Sequence, residues 1–197
     1  MIFSALAVAG ALLAVERACY VWIARWPCSF RAWAARPSVA WLGEPVAVVE
    51  KLFYAFKALQ LVVFIGWCYL HDPSLTPSAP PAVIAIAVVL FLAGQSLVMT
   101  GFYRLGRVAV FFGDRLGYDA PWCSAFPFSV LPHPQYFGAV VSIWAFFAIM
   151  RWPHADWYVI PLIETILYVA GATLEERSVA AQGASGRAPS NPTLSKD

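Results

Sequence analysis

Charged residues are scarce in this sequence. They make up 12% of its 197 residues, with 13 Lys and Arg against 11 Asp and Glu, whereas roughly a quarter is usual in soluble domains. Hydrophobic residues reach 61%, and the mean hydropathy is +0.68. Because one domain's worth of chain has too little interior to bury so much apolar surface, the composition excludes a soluble globule and predicts an integral membrane protein. The net charge of +2 is also too small to indicate nucleic acid as a partner.

Paired cysteines are absent as well. The four cysteines are Cys19, Cys28, Cys68 and Cys123, and no two of them form a CxxC pair. This spacing indicates neither a zinc site nor a redox motif. We therefore expect the cysteines to be small hydrophobic residues in or beside membrane helices, and we expect no bound metal.

The N-terminus lacks the basic residues with which a secretory signal peptide begins. Its apolar run, residues 2–24, also continues past Glu16 and Arg17. We therefore expect a retained membrane segment rather than a cleaved one. Since a charge that faces lipid costs roughly 3 kcal/mol, these two residues either face a protein interior or mark the end of a span. The sequence leaves open whether this run spans the membrane or is re-entrant.

Long apolar runs dominate the rest of the chain. They cover residues 46–70, 82–103, 136–150 and 157–174. The run 82–103 is uncharged and close to the ~20 residues that cross a bilayer core, whereas 136–150 is short for a perpendicular crossing. In the run 46–70, Lys57 is expected to extend towards the interface.

These runs predict an all-α integral membrane protein, a bundle of four to five apolar helices. The bundle forms a membrane domain over residues 1–177, and residues 178–197 form a disordered polar tail. Between the first two runs, residues 25–45 interleave Arg with Trp, which is typical of a loop at the membrane interface.

The basic residues predict the orientation. If all five runs cross, Arg151 is alone on one side, and the other side collects Arg25, Arg31, Arg36, Arg104, Arg107, Arg115, Arg177, Arg187 and Lys196. Cytoplasmic segments carry the excess of Lys and Arg, so this side is predicted to be cytoplasmic. It includes the polar, aromatic-rich segment 101–138 and the carboxylate pair Glu175 and Glu176.

Three sequence elements occur in order in the second half of the chain: FFGDRLG at 111–117, AFPFSVLPHPQYFG at 125–138 and LEE at 174–176. In this order and spacing they resemble the phosphatidylethanolamine N-methyltransferase family, and the likeness extends over about residues 1–177. The resemblance implies an enzyme of the endoplasmic reticulum membrane whose site faces the cytoplasm. It would transfer methyl groups from S-adenosylmethionine to phosphatidylethanolamine and its mono- and dimethyl derivatives, towards phosphatidylcholine. Homo-oligomer formation stays open.

The resemblance also implies cofactor-binding residues. Glu175 and Glu176 match the family's Glu-Glu pair, and Gly94 matches one glycine of its Gly-x-Gly motif, in which Leu92 departs from the pattern. The stretch from His133 to Tyr136 is similar to the His-Pro-x-Tyr element of isoprenylcysteine carboxyl methyltransferases, whose histidine contacts the cofactor. Asp114 is a further candidate for the cofactor, or else it neutralises a neighbouring arginine.

Methyl transfer to an amine needs in-line reactants and a deprotonated nitrogen. The candidate proton acceptors are His133 and Glu164, although Glu164 equally fits an ion pair with Arg151 or His154. The candidates for binding the substrate are three arginines for its phosphate and an aromatic residue for its ammonium group: Arg104, Arg107, Arg115 and Trp122. Topology control and an interfacial aromatic belt are the alternative roles of these residues.

Two other functions remain open from the sequence. The His-Pro-x-Tyr element fits an enzyme like the isoprenylcysteine carboxyl methyltransferases, which acts on a substrate without an amine. A non-catalytic small membrane protein would bind no S-adenosylmethionine. Such a scaffold, however, offers no reason for the three elements to occur together in this order.

Overall fold

A computed structural model describes residues 2–120 and 123–185, and the regular elements within these ranges are all α-helices. The prediction of an all-α fold is confirmed for this part of the chain. The helices are α1 (Ile2–Arg25), α2 (Pro27–Ala34), α3 (Pro37–Ala40), α4 (Pro45–His71), α5 (Pro81–Val110), α6 (Pro134–Arg151) and α7 (Val159–Ser185).

Proline begins each helix from α2 to α6. Proline suits the first helical position because its missing N–H would have no partner there and its φ is already helical. The helix starts can therefore be traced directly to the sequence. The ends are less predictable: α5 continues past residue 103 to Val110, through a kink at Gly106 with φ of 71°.

Two helices, over Phe3–Arg25 and Pro81–Val110, are long and apolar enough to cross a membrane. A shorter apolar stretch, Val159–Leu174, lies in α7. Helix α1 is continuous through Glu16 and Arg17, which are only 5% and 6% exposed. Of the two alternatives for these charges, the structure therefore selects the protein interior.

The helices pack unevenly. Helix α5 packs mainly on α6, α1 packs on α7 and α4, and α6 also packs on α7. Among the described residues, the backbones of α4 and α5 stay apart, and side chains join the two helices at one end: the rings of Phe53 and Phe102 are 5.6 Å apart, and Arg107 pairs with Glu50 at 2.7 Å. The bundle therefore has a cleft between α4 and α5, and the inner wall of this cleft is formed by α1, α6 and α7.

Residues 25–45 form more structure than the predicted interfacial loop. They contain α2 and α3, and Phe30 of α2 is fully buried against Trp22 and Trp33, with ring centroids 5.3 and 5.5 Å away. Aromatic residues that looked interfacial from the sequence thus anchor α2 onto α1. Phe111 and Leu116, which follow α5, belong to the same buried core. The segment after α5 therefore meets the segment between α1 and α4 at one end of the bundle.

The opposite end is held by a cluster around Asp156. Arg151 donates to both carboxylate oxygens of Asp156, at 2.7 and 3.2 Å, and Trp67 Nε1 donates to the same carboxylate at 3.2 Å. His71 Nε2 lies 3.7 Å from it. The predicted alternative of an Arg151–Glu164 pair is therefore wrong, because Asp156 is much nearer along the chain and occupies the guanidinium of Arg151.

We expect Asp156→Asn to flatten the acid end of the protein's pH–stability curve. Partial burial opposes ionisation of this carboxyl, but the hydrogen bond and charge of Arg151, with His71, hold the pKa of Asp156 below its usual 3.8. A pKa that is lower in the folded state stabilises the protein at neutral pH, and this contribution is lost as the pH falls through the folded value. The loss at neutral pH should be about 1 kcal/mol after allowing for solvent screening. Thermal unfolding of Asp156→Asn across acidic pH checks this, with exposed Asp119→Asn as the control; equal curves for both variants would contradict it.

Helix α7 continues beyond Arg177, where the disordered tail was expected to begin, and ends at Ser185. The remainder of the predicted tail, 186–197, lies outside the described residues.

Candidate functional site

The cleft between α4 and α5 leads into a cavity of about 590 Å³. The cavity is apolar towards one end, where Leu61, Phe64, Phe91 and Phe146 line it. Its other end is polar, and the residues that line it there include Glu16, Arg17, Tyr20, Lys57, Gln60, Gln135, Tyr136 and Tyr168. The polar end lies towards the C-terminus of α1 and the N-terminus of α6.

Helical periodicity brings these polar groups together. Residues three or four apart share one face of a helix, as do Arg17 with Tyr20 on α1 and Lys57 with Gln60 on α4. Both faces point into the bundle, where α7 adds Tyr168. Isolated charges are costly inside an apolar bundle, so each needs a partner.

Glu16 is the centre of this network. Lys57 Nζ lies 3.0 Å from Glu16 Oε1 and donates to Oε2 at 3.1 Å, and Arg17 Nη2 lies 3.3 Å from Oε1. Lys57 also donates to Gln60 Oε1 at 3.1 Å and to Tyr168 Oη at 3.2 Å. Lys57 thus bonds to the bundle interior, and the prediction that it extends to the interface is wrong, because the carboxylate of α1 lies nearer.

Arg17 is surrounded by tyrosines. The carbon at the centre of its guanidinium lies 3.8 Å from the ring centroid of Tyr168 and 5.4 Å from those of Tyr20 and Tyr136. Its Nε and Nη1 are buried without a hydrogen-bond partner in the described part of the chain, and so is Gln135 Oε1. A buried donor without an acceptor costs about 1–3 kcal/mol. The polar end of the cavity therefore holds donors and an acceptor that a polar ligand would satisfy.

Glu164, a predicted proton acceptor, lies one layer behind this wall. It is 2% exposed, it accepts a hydrogen bond from Gln60 Nε2, and it does not line the cavity. Glu164 therefore reaches the cavity only through Gln60. The alternative pairing with His154 or Arg151 is replaced by this bond between α7 and α4.

Of the predicted site residues whose side chains the structure describes, only Tyr136 lines the cavity. His133 immediately precedes α6, and its ring stacks on that of Tyr136 at 5.5 Å with an interplanar angle of 15°. This pair joins the predicted His-Pro-x-Tyr element to the polar end of the cavity. His133 itself is next to this end of the cavity and is not among the residues that line it.

Gly94 lies at the closest approach of α5 and α6. A Cβ at this position would be 2.6 Å from the carbonyl oxygen of Gly138 and from Ser142 Oγ. Only a glycine lets the two backbones come this near. In this structure Gly94 therefore acts on helix packing, one residue before Gln95, which lines the cavity.

The predicted substrate-binding arginines lie outside the cavity. Arg107 Nε donates to Glu50 at 2.7 Å, Arg115 Nε is 3.2 Å from Asp114, and Arg104 is exposed. Trp122 lies outside the described residues, as do the side chains of Glu175 and Glu176. Their predicted roles stay predictions.

Sequence reasoning missed Arg17, Lys57, Gln60, Gln135 and Tyr168 as site residues. Three polar residues within apolar runs, Glu16, Arg17 and Lys57, carried a usable signal, because charges at membrane depth usually serve a function. Gln135 and Tyr168 carried none, since neither stands out from its neighbours in the sequence.

Comparison with known proteins adds a family. A family model described as phospholipid methyltransferase matches residues 82–182. A phosphatidyl-N-methylethanolamine N-methyltransferase of Arabidopsis thaliana is 28% identical over 125 residues, which are 60% of this chain and 71% of the relative. A protein of the same name from Schizosaccharomyces pombe is 37% identical over 72 residues, 36% of this chain and 37% of its own.

A phosphatidylethanolamine N-methyltransferase of Homo sapiens is 30% identical over 74 residues, which are 37% of each chain. No solved structure matches the chain. The residues that α1 and α4 contribute to the polar end of the cavity lie outside the range that the family model matches.

Proposed function

The chain belongs to the phospholipid methyltransferase family, and from this premise we propose that it transfers methyl groups from S-adenosylmethionine to the amine of phosphatidylethanolamine and its mono- and dimethyl derivatives. The observation that carries this proposal is the cavity, apolar at one end and polar at the other. A phospholipid has the same division between acyl chains and headgroup. A substrate that enters sideways through the α4–α5 cleft would match each part of the cavity with its own kind of surface.

We also propose that α1, α4, α5, α6 and α7 cross the membrane, in the endoplasmic reticulum, with the polar end of the cavity at the cytoplasmic leaflet. The core that joins α2 to residues 111 and 116 supports this, because it gathers the basic segments at one end of the bundle. The excess of Lys and Arg there follows the charge distribution of cytoplasmic segments.

The residues at the polar end fit the groups of S-adenosylmethionine. Gln135 Oε1, which is buried and without a hydrogen-bond partner in the described part of the chain, would accept from its ammonium or ribose hydroxyls. Glu175 and Glu176, the pair that the sequence resemblance implies for the cofactor, follow Tyr168 along α7. Gln135, Tyr136, Glu175 and Glu176 are therefore the proposed cofactor-binding residues. When bound, the cofactor supplies an electrophilic methyl group on sulfonium.

The protein's own task is to orient the amine and to take its proton. The nitrogen can attack only with a free lone pair, and each transfer releases one proton. We propose His133 as the acceptor, because its ring stacks on Tyr136 at the cavity wall. Glu164, bonded to Gln60 behind the wall, is proposed to orient that amide. The apolar remainder of the cavity excludes water from the reaction.

Purified protein in lipid vesicles tests the activity directly. With methyl-labelled S-adenosylmethionine we expect label in phosphatidylethanolamine or its methylated forms, separated by thin-layer chromatography. Glu175→Ala or Glu176→Ala should lower this labelling at least about tenfold through weaker cofactor binding. Arg177→Ala, next to them on α7, is the matched control and should retain activity.

A farnesylated cysteine acceptor belongs in the same assay. If label appeared only in the methyl ester of the farnesylated cysteine, the activity would be carboxyl methylation instead of the proposed N-methylation. No label in any acceptor, together with no binding of S-adenosylmethionine, would overturn the enzymatic proposal.

A further inference from the structure

Arg17 has hydrogen-bond donors to spare at the polar end of the cavity. It lines the cavity, it is 6% exposed, and its Nε and Nη1 have no partner in the described part of the chain. We propose that Arg17 binds the phosphodiester of the lipid substrate, so that the headgroup is held at the polar end of the cavity and the acyl chains follow the cleft between α4 and α5. This inference rests on the proposed function and names the residue that recognises its substrate.

The charges at the polar end of the cavity favour an anionic ligand. The ionisable pairs there are Glu16 with Arg17 and Glu16 with Lys57, two cations that share one carboxylate. Glu164 accepts a hydrogen bond from Gln60 and does not line the cavity. Among the described residues that do line it, two cations thus face one carboxylate, and a negative group on a ligand would interact favourably with them.

The guanidinium is prepared for an oxyanion. Stacking on Tyr168 fixes its plane, and Glu16 engages only Nη2. Nε and Nη1 remain with hydrogens to donate, and either can give a charge-assisted hydrogen bond to a phosphate oxygen. Lys57 lacks this freedom, because its donors go to Glu16, Gln60 and Tyr168.

The shape of the cavity assigns the anion to a lipid. Beyond its polar end the cavity is apolar, and the cleft that leads to it is flanked by Tyr54 on one side and Met99 on the other, which are 60% and 56% exposed. A free phosphate or the carboxylate of the cofactor would use only the polar end. Acyl chains account for the apolar part and for the lateral opening.

Of the other candidate arginines, Arg104 is exposed and does not line the cavity, and the remaining two form ion pairs elsewhere. Arg107 pairs with Glu50, and Arg115 pairs with Asp114, both outside the cavity. With the phosphate on Arg17, the ethylene linker of the headgroup would carry the amine towards Tyr136, 5.4 Å from the guanidinium. The amine would then lie beside the ring on which His133 stacks.

A pair of single-chain lipids isolates the headgroup, and the Arg17 variant tests its phosphate. Lysophosphatidylethanolamine and a monoacylglycerol of the same chain length differ in the phosphoethanolamine group, and their affinities for the full-length protein in detergent can be measured without catalysis. We expect the wild-type protein to prefer the lysophospholipid at least about tenfold. Arg17→Gln should abolish this preference while its Kd for S-adenosylmethionine stays within about twofold. Arg25→Gln, the same change on the exposed end of α1, should behave as wild type.

Each other result has a definite meaning. An Arg17→Gln protein that keeps the preference overturns the proposal. So does one that loses affinity for S-adenosylmethionine but not for the lysophospholipid, because the anion would then be the cofactor's carboxylate. If Arg17→Gln does not fold, Arg17→Lys serves instead: it retains the charge but not the Nε and Nη1 donors, and unchanged affinity for the lysophospholipid would overturn the proposal. A preference that depends on Arg17 in a protein that methylates no ethanolamine lipid would contradict the proposed function alone.

Discussion

Glu16→Gln is expected to destabilise the protein by about 3–5 kcal/mol, the usual effect of removing one partner from a buried ion pair. Glu16 is the carboxylate that Arg17 and Lys57 share, at 3.3 and 3.0 Å. Its loss would leave two cations inside the bundle with no other counter-charge among the described residues that line the cavity. Unfolding of the purified protein, by heat or by denaturing detergent, measures the effect.

The pair between Glu50 and Arg107 is the matched control. It has a similar distance, 2.7 Å, but the arginine side chain is 57% exposed. Glu50→Gln should therefore cost no more than about 1 kcal/mol. The double variant Glu16→Gln, Lys57→Met removes one cation together with the carboxylate and should recover part of the loss. If Glu16→Gln lowered the free energy of unfolding no more than Glu50→Gln does, water would have to reach the network around Glu16, and its burial would be refuted.

Gly94→Ala is expected to cost about 2–3 kcal/mol, the upper part of the usual range for overpacking. The added methyl group would lie 2.6 Å from the backbone oxygen of Gly138, which no rotamer change can move. The two helices would have to separate, and α5 packs on the bundle chiefly through α6. The same separation would widen the cleft in which the lipid is proposed to bind.

Gly66→Ala provides the comparison, since a methyl group on this glycine of α4 meets nothing within 4 Å. It should keep or slightly raise the midpoint of thermal unfolding, because alanine is more favourable than glycine inside a helix by about 0.5–1 kcal/mol. Cofactor affinity separates the two roles considered for Gly94. A folded Gly94→Ala protein with normal affinity for S-adenosylmethionine supports the packing role, whereas normal stability with lost affinity would return Gly94 to the cofactor site predicted from the sequence.

Most of the helical architecture was predictable from the sequence. Apolar runs indicated α1, α4, α5, α6 and α7, and prolines mark the first residue of every helix from α2 to α6. These signals are local, because chain length, hydropathy and the missing N–H of proline act within a few residues. The three motifs from FFGDRLG to LEE indicated the family for the same reason, because a motif is recognised from consecutive residues and does not depend on tertiary contacts.

Which residues line the cavity could be determined only from the tertiary structure. Lys57 bonds to Glu16 across 41 positions and to Tyr168 across 111. A charge within an apolar run shows that some partner exists, but the partner depends on which helix faces which. The sequence by itself therefore determined an all-helical chain, its family and the presence of buried charges. Only the packing of α1 against α4 and α7 decided that these charges meet around one cavity, since side chains far apart in the chain become neighbours through helix contacts that no local pattern encodes.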